Sequence, residues 1–138
     1  MLEAAPGEVE FGIGEVAAAI DACLDAAQAC TACADASLAE DDVAALRTCI
    51  GLDQDCADVC EATARVLSRQ VRYDTFLVHR LLHACIRACA SCAEECERHA
   101  AHHRHCGICA EVCRACESAC RVLLDAEAFE ELQALAGG

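Results

Sequence analysis

Fifteen cysteines recur along this 138-residue chain at intervals of three, four and seven residues. They fall into four sets: Cys23, Cys30 and Cys33; Cys49, Cys56 and Cys60; Cys85, Cys89, Cys92 and Cys96; and Cys106, Cys109, Cys113, Cys116 and Cys120. Such intervals keep side chains on one face of a 3.6-residue helix. At 100° per residue the third set spans about 60° of arc and the fourth about 80°. Soft thiolates in that number select Cu(I), Zn(II) or iron–sulfur clusters. Thiol redox chemistry is the competing use, with C-x-x-C at Cys30/Cys33, Cys89/Cys92, Cys106/Cys109 and Cys113/Cys116. Of these only Cys106 is expected near a helix start, where dithiol reagents are activated.

The elements that must carry these stripes follow from sparse turn signals and abundant helix formers. Breaks are expected near 37–41, where Ser37 and Glu40 have the form of a capping box, and near 69–74, where Asp74 can cap a helix starting at Thr75. Two more are expected at the His-rich stretch 100–104 and near Asp125. Helices are therefore predicted over about 14–36, 41–68, 74–99 and 103–124, with a short further helical piece at 126–136. Short connections make this an all-α, antiparallel up-down four-helix bundle with a Cys-lined core, a single domain over 1–138. With three Phe, one Tyr and no Trp, small aliphatics and cysteines must fill that core. The sulfurs then converge on the bundle axis in a column, about 21 Å long between Cys106 and Cys120.

Charge narrows the metal. One Cu(I) per thiol proton leaves a buried column near neutral, whereas zinc with four thiolates leaves two net negative charges in a medium of low dielectric. Structural zinc sites also draw on knuckles and loops rather than parallel stripes. The ferredoxin run C-x-x-C-x-x-C is absent. Cu(I) accepts two or three sulfurs and thiolates bridge, so capacity on the order of one ion per thiolate follows. A zinc- or cadmium-sequestering protein is the nearest alternative, and a thiol redox protein or peroxide scavenger the next.

The chain resembles the bacterial copper storage proteins, four-helix bundles with cysteine-lined cores. The resemblance rests on the C-x-x-x-C pairs at Cys56/Cys60, Cys85/Cys89, Cys92/Cys96, Cys109/Cys113 and Cys116/Cys120, set in Ala-rich helices over nearly the whole length. It implies a homotetramer, many Cu(I) ions stored in each protomer, and a metal that does little to hold the fold. Protonated thiols are apolar enough to pack alone, which agrees with the last point. Residues 1–8 show no basic n-region, twin arginine or apolar h-region, so the chain resembles the cytosolic branch and a cytoplasmic location is expected.

A storage column needs a mouth. In an up-down bundle the ends of helices 1 and 3 meet the starts of helices 2 and 4, and that end carries His99, His102, His103 and His105. Continuing the third stripe past Cys96 reaches His99 and His103, while His105 adjoins Cys106. Asp53, four residues after Cys49 and three before Cys56, is expected to face inward. These groups are read as receiving Cu(I) and passing it to the thiolates, with Asp53 a weak ligand. The opposite end should be an apolar plug of Val16, Ile20, Leu67, Val78, Leu81, Leu82, Leu123 and Leu124, with His79 and His83 outside it at the surface or a subunit contact. Gly51 and Gly107, unfavourable inside helices, are expected to permit close helix approach or metal at the mouth.

Other classes are excluded by composition and motif. A net charge of −14, from 24 acidic and 10 basic residues, removes the electrostatic source of nucleic-acid binding and with it a DNA-binding copper regulator. Uncharged runs fall short of the roughly 18 apolar residues of a membrane span. Neither Glu-x-x-His nor His-Glu-x-x-His is present, so di-iron oxidase and zinc hydrolase chemistry lack their ligands. Copper must reach the protein from a donor protein or a small thiol, which the sequence does not name.

Overall fold

The computed structural model describes residues 1–4 and 12–137. Four helices form the bundle: α1 (Ile13–Leu38), α2 (Arg47–Ser68), α3 (Thr75–His99) and α4 (Arg104–Gly137). Each packs against its neighbours in the chain and α1 closes the ring against α4. No strand occurs among the described residues.

The helices begin and end for local reasons. Asp74 caps α3 as expected, its Oδ1 accepting from Leu77 N–H at 3.2 Å. The first break differs from expectation. Ser37 and Glu40 form no capping box: Ser37 lies inside α1, which runs to Leu38, and α2 starts at Arg47 rather than near 41. Between them Val43–Leu46 make a 3₁₀ turn, and Leu46 drops into the core fully buried. An aliphatic group that must be buried thus sets the path of this connection more strongly than the capping pattern. The expected break near Asp125 is also absent. The helical C-terminal segment is present, but as an uninterrupted continuation of α4. One acidic residue does not stop a helix, and no Gly or Pro intervenes before Gly137.

The core is the thiol column with aliphatic layers at its ends. Val16, Leu67, Val78, Leu82 and Leu123 are buried beyond Cys23, Cys85 and Cys120, while Ile20, Leu81 and Leu124 are half-buried. Thr63, fully buried among them, donates to Val59 C=O at 2.7 Å, so its hydroxyl is satisfied within its own helix. α1 is long and apolar enough to cross a membrane by length and composition, an 18-residue window within it having a mean hydropathy of 1.3. Its alanines and cysteines raise that value, and its cysteine stripe is spent on the bundle core.

The two glycines do not serve close packing. A Cβ on Gly51 would meet open space, and one on Gly107 would sit 3.6 Å from that of Ala100, an ordinary contact.

Candidate metal centre

All fifteen cysteines are free thiols and all are buried, none more than 2% exposed. Their sulfurs form a ladder of contact groups. From the closed end, Cys23 contacts Cys85 and Cys120 at 3.8 Å and Cys116 at 3.7 Å. Cys60 lies 3.7 Å from Cys85 and 3.5 Å from Cys89, and Cys56 lies 3.8 Å from both Cys60 and Cys89. Cys30 meets Cys113 at 3.4 Å, and Cys92 and Cys109 at 3.8 Å. Nearest the mouth, Cys49 pairs with Cys96 at 3.5 Å and Cys33 with Cys106 at 4.0 Å. Sulfurs bound to one metal at roughly 2.3 Å stand about 3.8–4.0 Å apart, so the ladder is pre-spaced for thiolate-bridged metal and far too open for the 2.05 Å of a disulfide.

Four-ligand groups whose donor atoms lie within 4.8 Å of one another overlap along the axis. Cys23, Cys85, Cys116 and Cys120 make one; Cys60, Cys85, Cys89 and Cys116 the next; Cys30, Cys56, Cys92 and Cys113 a third. Asp53 belongs to two more, with Cys30, Cys92 and Cys109 and with Cys33, Cys96 and Cys109. Neighbouring groups share members, among them Cys85, Cys116, Cys30, Cys92 and Cys109.

Asp53 faces inward as its spacing predicts, fully buried. Its Oδ1 accepts from Cys92 at 3.0 Å, Cys109 at 3.5 Å and Cys96 at 3.7 Å, and its Oδ2 from Cys49 at 3.9 Å. Burial first, then the Cys92 contact, raises its pKa to about 11, so the acid is neutral at pH 7. Cys106 is pushed up to about 12, again chiefly by burial, with the charge of Cys33 next.

The four histidines of the mouth do not share one position. His105 meets the column: its Nδ1 lies 3.4 Å from Cys33 Sγ and 3.6 Å from Cys106 Sγ. His103, though buried, touches no sulfur. It is held between Asp42, whose Oδ2 is 2.9 Å from Nε2, and Glu40, whose Oε2 is 3.2 Å from Nδ1. The Asp42 hydrogen bond raises the pKa of His103 and lowers that of Asp42. His99, on the last turn of α3, pairs with Glu95 at 3.2 Å, and His102 is exposed. α3 ends at His99, so the stripe does not continue as helix to His103.

Sequence reasoning missed four residues. Glu40 and Asp42 embrace histidines more than sixty positions away, which no spacing reveals. Leu46 was hidden by the assumption of an earlier helix start. Glu127, fully buried in the supposedly aliphatic end, binds Tyr73 O–H and lies 2.7 Å from His79 Nε2. His79 is therefore part of the closed end's packing rather than a surface group, while His83 is exposed as expected.

Fold and site together define a metal-holding bundle, with its ligands inside the helices rather than in loops. The sequence profile of the copper storage protein family matches residues 14–125, and the chain belongs to that family. It is 51% identical to the copper storage protein Ccsp of Streptomyces lividans, solved loaded with 10 copper equivalents, over 91% of this chain and 96% of that one, with a TM-score of 0.89. A five-copper structure of the Streptomyces lividans cytosolic copper storage protein is 55% identical over 81% of this chain and 93% of that one, TM-score 0.80. The cysteine-rich protein YhjQ of Bacillus subtilis (strain 168) is 34% identical over 104 residues, 75% of this chain and 91% of its own.

Proposed function

We propose that this protein stores Cu(I) in bulk, binding many ions per protomer through Cys23, Cys30, Cys33, Cys49, Cys56, Cys60, Cys85, Cys89, Cys92, Cys96, Cys106, Cys109, Cys113, Cys116 and Cys120. The column of sulfurs, in contact at 3.4–4.0 Å and joined through ligand groups no more than 4.8 Å across, carries this reading. A protonated Asp53 adds no charge to the metal-free column, and each Cu(I) that replaces a thiol proton leaves the local charge unchanged, so filling does not build up buried charge. The protein sequesters rather than turns over: uptake is stoichiometric, and the family is one of storage proteins.

Copper enters at the end that carries Asp53, His99, His103 and His105. His105 is the relay, because one ring nitrogen already faces two thiols. Asp53 takes the ion next, its Oδ1 standing between Cys92 and Cys109. His99 and His103 act earlier, at the rim. The Streptomyces relative is described as cytosolic, which supports the same location here. Supply falls to a donor protein or a small thiol. Exposed Leu24, Phe76, Val122, Leu132 and Leu135 offer apolar surface for a homotetramer.

The deciding experiment is anaerobic titration of the reduced apoprotein with Cu(I) against a chromophoric chelator, with far-ultraviolet circular dichroism throughout and Zn(II) as control. About one or more Cu(I) per cysteine, with full helicity before any metal, is the expected result. Saturation at one or two ions, or preference for Zn(II), would overturn storage.

A further inference from the structure

Glu40 stands between two imidazoles. Its Oε2 is 3.2 Å from His103 Nδ1 and its Oε1 is 3.4 Å from His105 Nε2. The other nitrogen of each ring is already engaged: His103 Nε2 with Asp42 Oδ2 at 2.9 Å, and His105 Nδ1 with the Cys33 and Cys106 sulfurs. His103 Nδ1 and His105 Nε2 thus face one carboxylate. His105 Nε2 is shut off from solvent and forms no hydrogen bond with any described residue, although Glu40 lies within contact. A buried nitrogen in that state is costly unless something binds it.

We propose that Glu40, His103 and His105 form a second metal site, for a borderline divalent cation of the zinc class. Ligands of a tetrahedral ion with bonds of about 2.0–2.1 Å stand about 3.3 Å apart, which matches the 3.2 and 3.4 Å between the Glu40 carboxylate and the two ring nitrogens. Two imidazoles and one carboxylate with a fourth position open are a common zinc set, and nitrogen and oxygen donors favour divalent ions where the thiols favour Cu(I). Asp42 supplies the outer carboxylate that orients a ligating histidine. The bound ion would join the 39–46 connection, which carries Glu40, to the 100–103 connection, which carries His103.

Occupation has a consequence for copper, which rests on the reading that Cu(I) enters at this end. A neutral imidazole offers one lone pair. With zinc on Nε2, the proton of His105 sits on Nδ1, so the ring cannot receive Cu(I) for Cys33 and Cys106. Zinc at this site closes the mouth.

The test uses whole protein whose thiols are first filled anaerobically with Cu(I). One equivalent of Zn(II) is then added, followed by equilibrium dialysis and zinc-edge X-ray absorption. The expected result is one tightly held zinc with a nitrogen/oxygen shell near 2.0–2.1 Å and no sulfur near 2.3 Å. Binding should be lost in E40Q, kept in E40D, and weakened roughly 10–100-fold in D42N, with unchanged helicity showing that each variant folds. A sulfur shell, absence of binding, or binding indifferent to E40Q overturns the site. The second arm follows Cu(I) uptake by apoprotein with and without one equivalent of zinc. Zinc should slow wild type and not E40Q. If zinc binds as described and uptake is untouched, the site stands and closure of the mouth is refuted.

Discussion

The two ends of the bundle are framed by the same four helices and have opposite contents. At the closed end Val16, Leu67, Val78, Leu82 and Leu123 fill the axis, and a buried acid, Glu127, is held by Tyr73 and His79. At the mouth the axis is occupied by Asp53 and edged by His105, with Glu40 and Asp42 gripping His103 from a non-helical connection. Apolar contact is cheap to keep and hard to open, whereas groups that exchange protons and ligands are costly to bury. The contrast assigns cohesion to one end and traffic to the other.

Damage at the closed end should therefore appear in stability and not in loading. Leu82→Ala, leaving a cavity under the last sulfurs, is expected to lower the apoprotein's unfolding free energy by about 2–5 kcal/mol in urea denaturation under reducing conditions. A cost below 1 kcal/mol would mean that the plug is loosely packed. Glu127→Ala removes the acceptor of the Tyr73 hydroxyl and the carboxylate beside the His79 ring, and about 1–3 kcal/mol should be lost by the same assay.

Asp53 tests the other side of the comparison, because its raised pKa makes burial dependent on pH. Its neutral form is favoured in the fold, so its contribution is fully present below the ordinary carboxylate value near 4 and is lost progressively as pH rises toward 11. Wild-type apoprotein should accordingly weaken relative to Asp53→Asn between pH 5 and 9, by at most about 1.4 kcal/mol per pH unit. Parallel stability curves for the two proteins would show Asp53 to be ionised.

The smallest stability effects are expected at the rim. His105→Ala should leave the melting temperature nearly unmoved while slowing Cu(I) uptake in stopped-flow measurements; equal uptake rates would remove His105 from the path. Asp42→Asn should move the NMR titration midpoint of His103 down toward 6.5. The pairing it removes is fully present below pH 6.5 and fades as pH rises through the folded-state value of His103.

The column itself was legible because cysteine spacing is a helix-period signal, and period is what a sequence displays best. Asp53 was legible for the same reason, lying in register with Cys49 and Cys56. Asp74 could be read because a cap is local. Glu40, Asp42, Leu46 and Glu127 could not. Their partners lie far away in the chain, and each has a short-range pattern that suggests something else: a capping box, a helix start, a solvated C-terminal turn. His103 was set on the third stripe for a related reason, since that stripe was extended past a helix end that only tertiary packing fixes.

The ladder repeats every seven residues, and each rung is built from the same small set of helix positions. Lengthening all four helices by one such repeat would add a full storey of thiols without altering either end. Capacity in this architecture is thus an extensive quantity, proportional to helix length, while the rate of filling is intensive and set at one rim. Selection for a larger store and selection for a faster one act on different residues, and neither need disturb the other.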